Sequence, residues 1–216
     1  MIIEQEKFPR GLLFLHELPK LLYAQGNLDL LEKKCVTIVG SRKATKRGLA
    51  QTRKIVEKLV ARDIVIVSGF AKGIDEMAHK SAFEFGGKSI AILGTGLNSL
   101  YPRGRDLLRW RMEEEGLLLS EYPTNVGPRP HHFPRRNRLL AALSPITIIV
   151  EAEIKSGTMI TAKEALGQGK DLWVVPGSPE DPLSLGPNYL IFQGANPLYH
   201  YDLIDHWEEE LWQKIW

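Results

Sequence analysis

Six short apolar runs recur along the chain: VTIV at 36–39, IVIV at 64–67, SIAIL at 89–93, LLLS at 117–120, ITIIV at 146–150 and LWVV at 172–175. None alternates with polar residues, the pattern of strands covered on both faces. Between them the apolar period lengthens to that of a helix. The clearest case is GLAQTRKIVEKLVARD at 48–63, where Leu49, Ile55, Val56, Leu59 and Val60 share one side. Further helices are predicted over 74–86, 104–116, 136–143 and 159–169. Strand and helix in alternation predict an α/β, doubly wound, mainly parallel sheet with helices on both faces. Residues 1–32 are expected as a short, helical lead-in, 33–200 as the main domain, and 201–216 as a segment holding a terminal helix over 202–215.

Length and composition narrow this picture. A chain of 216 residues with 44% hydrophobic content can bury its own core. The single cysteine, Cys35, excludes an internal disulfide and points to a reducing, cytoplasmic setting. The start, MIIEQEKFPR, does not read as a signal peptide, and no apolar stretch is long enough to span a membrane.

Net charge is only +2, but the charges are segregated. Residues 33–55 hold eight Lys or Arg and no acid, and residues 122–150 hold four Arg and no acid. RPHHFPRRNR at 129–138 contains all four of those arginines beside Phe133.

Ligands of such a sheet bind beyond the carboxyl ends of its strands. The segments there are rich in Gly and Ser: GSRKA, SGFAKGID, GTG, SEYP, EAEIKSGT and VPGS. In the first, Gly40 and Ser41 are expected to present amides at a helix start, with Arg42 and Lys43 adding cations suited to phosphate. In the second, Ser68, Gly69, Ala71, Lys72 and Gly73 are expected to form an anion nest, with Asp75 as a helix cap. Lys155, Ser156, Gly157 and Thr158 repeat the theme before another helix. The arginine segment adds Phe133, Arg135, Arg136, Asn137 and Arg138. Cations beside a ring suit an unpaired strand, whose bases can stack. Phe133 as a core anchor for its own loop is an equally open reading.

Several other chemistries fail on spacing. GxGxxG is absent, and no acid closes the second strand to hold a ribose. FGGKS at 85–89 has Ala82 where a phosphate loop needs its first glycine, and a strand follows it. His131 and His132 are adjacent and lack metal-ligand spacing. His79 is expected to pack inside a helix. No Ser–His–Asp set is evident in sequence order.

The ordered segments VTIVGSRKAT, VSGFAKGIDEMAH, LGTGLNSLYP, LLLSEYP, FPRRNRLLAALS, VEAEIKSGTMITAKEA, VVPG and GPNYLIFQGA closely resemble the DprA/Smf family, the DNA-processing proteins of bacterial natural transformation. The resemblance runs over about residues 8–200. It implies an extended Rossmann-like domain that binds single-stranded DNA without marked sequence preference, protects incoming DNA and loads the RecA recombinase. It also implies a homodimer with no catalytic turnover, and no cofactor is expected. Its DNA-contacting regions fall on Gly40 to Arg42, Ser68 to Gly73, Phe133 to Arg138 and Lys155 to Thr158. Many such relatives add a helical domain before this region and a winged-helix-like domain after it. This chain is expected to hold the central region with a short lead-in. The alternative is a nucleotide-processing enzyme of the phosphoribohydrolase type, whose GGxGTxxE loop carries an acid where this chain has Thr161.

Overall fold

The computed structural model describes residues 1–104, 106–207 and 212. Among these, nine strands form one sheet. They are β1 (Ile2–Glu4), β2 (Leu21–Gly26), β3 (Cys35–Val39), β4 (Val65–Ser68), β5 (Ser89–Leu93), β6 (Leu117–Ser120), β7 (Ile146–Ile149), β8 (Asp171–Val174) and β9 (Asn196–Pro197). The spatial order is β1-β2-β6-β5-β4-β3-β7-β8-β9. From β6 to β9 every neighbouring pair is parallel, whereas β2 runs antiparallel to β6 and β1 antiparallel to β2.

The helices are α1 (Arg10–Leu13), α2 (Lys46–Val60), α3 (Ile74–Glu84), α4 (Asp106–Glu115), α5 (His132–Leu143), α6 (Gly157–Gly167) and α7 (Leu185–Phe192). They explain why the strands show no polar alternation. Val36 and Ile38 of β3 face a core shared with Ile55, Val56 and Leu59 of α2 and Ile74 and Ala78 of α3. Cys35 and Val39 face the opposite core, with Leu139 and Leu143 of α5 and Ala162 and Ala165 of α6. Both faces of the strand are dry, so its side chains are apolar apart from Thr37, whose hydroxyl donates to the Leu140 carbonyl (2.7 Å).

The extended Rossmann-like expectation therefore holds, and the six predicted strands lie within a residue or so of β3 to β8. Helix across the first 30 residues does not hold. That stretch carries β1, β2, the four-residue α1 and two 3-10 turns. Pairing of β2 with β6 supplies backbone partners that no local signal announces. At the other end, Tyr201–His206 is a 3-10 helix. Apart from Trp212, the predicted terminal helix beyond Trp207 lies outside the described residues.

Helix α5 begins at His132 rather than 136. Pro134 is its third residue, where a missing N–H costs nothing because that amide has no intrahelical acceptor. The whole FPRRNR segment thus occupies the opening turns of a helix that packs across β3, β4 and β5.

Candidate nucleic-acid interface

Strand order reverses between β3 and β7, which lie side by side yet continue in opposite directions across the sheet. Such a reversal opens a crevice at the carboxyl ends. Here it is a cleft of about 740 Å³ lined by Gly40, Ser41, Arg42 and Lys43, by Ala71, by Phe133, Arg136 and Asn137, and by Ser156, Gly157 and Thr158. A smaller hollow of about 270 Å³ shares Arg42, Ala71, Phe133 and Arg136 and adds Gly69 and Lys72. Four segments far apart in the chain therefore meet at one place. Ser68, Gly73, Arg135, Arg138 and Lys155 line neither hollow.

The first two loops are built differently from their expected form. The Ser41 amide donates to the Glu151 carbonyl (2.7 Å) and the Lys43 amide to Ser41 Oγ (3.1 Å). Helix α2 starts only at Lys46, after Thr45 as its cap. Gly40 is a packing glycine, since a Cβ there would lie 2.5 Å from Ile74 Cγ1. The amides of Gly40 and Ser41 are therefore not a helix-terminal phosphate cradle.

The nest is also occupied from within. Asp75 Oδ2 accepts from the Ala71 amide at 3.3 Å. Burial pushes the Asp75 carboxyl up, while the Arg136 guanidinium opposes that shift. The turn is held by Phe70 at φ 58°, uncommon for a bulky residue, and by Gly73 at φ 78°. Ser68 Oγ donates to the Ile38 carbonyl (2.6 Å) and tethers β4 to β3.

The arginine cluster divides into separate duties. Arg136 is only 4% exposed and donates through Nη1 to the carbonyls of Gly69 (2.7 Å) and Ile92, and through Nε to Asn137 Oδ1 (3.2 Å). Burial pulls its pKa down to about 10, with Asp75 as the main opposing influence. Arg138 is buried against Glu121. Arg135 bridges Glu17 at 2.7 Å and approaches Glu121 at 3.5 Å. Asn137 Nδ2 donates to the Gly157 carbonyl (3.1 Å) and so fixes the start of α6.

At the cleft, the cations Arg42, Lys43 and Lys72 and two rings remain for solvent, while Lys155 is exposed beside Ser156 without lining either hollow. The Arg42 guanidinium carbon stands 5.5 Å from the centroid of the half-buried Phe133 ring. Gly94 makes room for that ring, because a Cβ there would lie 2.7 Å from Phe133 Cδ1. Tyr101, 38% exposed, completes the wall with its centroid 5.5 Å from that of Phe133 at 45°. At the far side, Ser156 caps α6 without a side-chain capping bond, and its buried Oγ has no hydrogen-bond partner.

Sequence reasoning missed Tyr101 and Arg129 as cleft residues. Their signals were present, in SLYP and at the head of RPHHF, but nothing local links residue 101 to residue 133. An acid, Glu153, also lines the cleft, and so does Thr161. His79 packs as expected: its Nδ1 lies 2.7 Å from Ser89 Oγ, and burial lowers its pKa to about 3.

A profile of the DNA recombination-mediator protein A family matches residues 1–208. The chain belongs to that family. It is 43% identical over 188 residues to DNA processing protein DprA of Streptococcus pneumoniae, covering 87% of this chain and 66% of the relative. It is 41% identical over 193 residues to Protein Smf of Escherichia coli, covering 89% of this chain and 52% of the relative. The chain thus spans between about half and two thirds of these curated relatives. Among solved structures, DNA processing protein A of Helicobacter pylori, described in terms of its single-stranded DNA binding mode, matches with a TM-score of 0.88. Identity there is 32%, over 95% of both chains. The DprA/Smf resemblance is thereby established for this chain.

Proposed function

We propose that this chain binds single-stranded DNA without marked sequence preference, protects the incoming strand and assists loading of the RecA recombinase in natural transformation. It would act in the cytoplasm as a homodimer, without a cofactor and without catalytic turnover. The observation that carries the reading is the meeting of Arg42, Phe133 and Tyr101 at the mouth of the switch-point cleft. Rings accept any unpaired base, and stacking contributes about 1–3 kcal/mol per base. A duplex hides those π faces. Cations that meet phosphates contribute affinity without reading sequence. The Helicobacter pylori relative, described by its single-stranded DNA binding, supports the same partner.

Of the predicted contacts, Arg42, Lys43, Lys72 and Lys155 suit phosphate best, because their side chains are exposed. Arg136 and Asn137 would act from the wall of the cleft by shaping it. Arg135, with a side chain 49% exposed, could reach a strand that leaves the cleft along α5. For the homodimer, α7 offers a stripe of exposed Leu185, Tyr189 and Phe192, with Tyr199 exposed nearby in the chain. No described helix is long and apolar enough to cross a membrane.

The test is a titration of single-stranded and duplex DNA of one sequence over a range of salt. Binding of the single strand should fall with a log–log slope of roughly −0.7 per phosphate contact and exceed duplex binding at each salt. Equal affinity for the duplex would defeat the reading. The enzyme alternative is checked separately by incubation with nucleoside monophosphates, where base release that survives purification would replace it.

A further inference from the structure

We propose that Glu151 is a selectivity residue. Its carboxylate fills the position at the N-terminus of α2 where sheets of this type receive a nucleotide phosphate, and so the chain rejects free phosphates there. In an open α/β sheet, the helix after the first strand of the switch point is an anion site, because its amides and dipole point at the crevice. That helix here is the 15-residue α2, following β3.

The position is not open. Glu151 lies just past β7, the strand beside β3, and is 1% exposed. Its Oε2 accepts from the Thr45 amide at 2.8 Å and its Oε1 from the Thr45 hydroxyl at 2.5 Å. Gly48, in the first turn, has no side chain to interfere: a Cβ there would stand 2.3 Å from Glu151 Cδ and Oε2. The Glu151 carbonyl takes the Ser41 amide as well. No Lys or Arg pairs with Glu151 among the described residues. The buried carboxyl group is therefore held by the amide and the hydroxyl of Thr45, the cap residue whose Oγ1 in turn accepts from the Gly48 amide (3.0 Å). An amide and a hydroxyl at a helix start are donor types that elsewhere hold phosphate.

This inference stands apart from the DNA reading, and its test uses no DNA. The full chain is melted as wild type, Glu151→Ala and Glu151→Gln, in phosphate and in chloride at matched ionic strength. Phosphate stabilises most proteins slightly by exclusion from their surface, so the wild-type shift is the baseline. Glu151→Gln, which still fills the space, should match that baseline. Glu151→Ala should melt lower in chloride and gain a further, saturable rise in Tm with phosphate concentration, as mass action requires of a bound ligand. Calorimetry with inorganic phosphate should show binding to Glu151→Ala at least tenfold tighter than to wild type. Adding Gly48→Ala to Glu151→Ala places a methyl in the emptied position and should abolish the extra response. A phosphate response of Glu151→Ala no larger than that of the wild type overturns the proposal. A Glu151→Ala chain that stays unfolded at saturating phosphate overturns it equally. Failure of the DNA titration would leave this result untouched.

Discussion

The guanidinium of Arg42 lies 5.5 Å from the ring centroid of Phe133, so the loop after β3 touches the first turn of α5 across the cleft. The two residues supply different kinds of affinity, and their substitutions should separate. Phe133→Ala should weaken single-stranded DNA binding by about 1–3 kcal/mol with the salt slope unchanged. Arg42→Ala should make the slope shallower by about 0.7, the loss of one phosphate contact. Fluorescence anisotropy over a salt series measures both.

Tyr101 was not legible as a site residue, which makes it an independent check. If it shares the stacking wall, Tyr101→Phe should bind like wild type and Tyr101→Ala should lose affinity by a similar margin to Phe133→Ala. Equal binding by all three chains would remove Tyr101 from the path of the strand.

Arg136 is expected to behave as a structural residue even though it lines the cleft. Its removal takes a donor from the carbonyls of Gly69 and Ile92 and leaves Asp75 without the stronger-acting of the two cations, Arg136 and Arg42, that favour its charge. Breaking a buried charged network in this way costs about 3–5 kcal/mol. Chemical denaturation should show that loss for Arg136→Ala, whereas Arg42→Ala, on an exposed side chain, should unfold with the wild-type midpoint.

His79 sets an acid limb of stability. Its pKa falls from the ordinary 6.5 to about 3 because burial disfavours the cation. The unfolded chain therefore binds a proton that the folded chain refuses, and stability drops as pH falls from about 6.5 toward 3. Asp75, pushed up by burial, contributes with the opposite sign, since its stabilising share is lost as pH rises. Comparing wild type with His79→Phe isolates the first contribution: the variant should show a flatter decline between pH 7 and 4 (the window about those values).

The exposed stripe on α7 tests the assembly. Phe192 is 83% exposed. Phe192→Glu should convert a dimer to a monomer in sedimentation without moving the melting temperature of the isolated fold. A wild-type chain that sediments as a monomer at every concentration removes the homodimer.

Composition and periodicity alone identified the six parallel strands and most helices, because a strand buried on both faces has no polar alternate and a covered helix has an apolar stripe. They also identified which loops gather at the carboxyl edge of the sheet, since parallel strands put all their carboxyl ends on one side. Local pattern did not reveal β2, whose place depends on pairing with β6, nor the start of α5, where two prolines read as interruptions. Nor did it show what each polar group would hold. Thr45 meets Glu151 across 106 residues, and Arg136 meets Gly69 across 67. Such partners are chosen only when the sheet closes, because a buried charge must find whichever donors or acceptors the packing brings within reach. The sequence by itself thus determined the scaffold and its basic edge. Tertiary structure decided which charges remain for a ligand and which the protein keeps for itself.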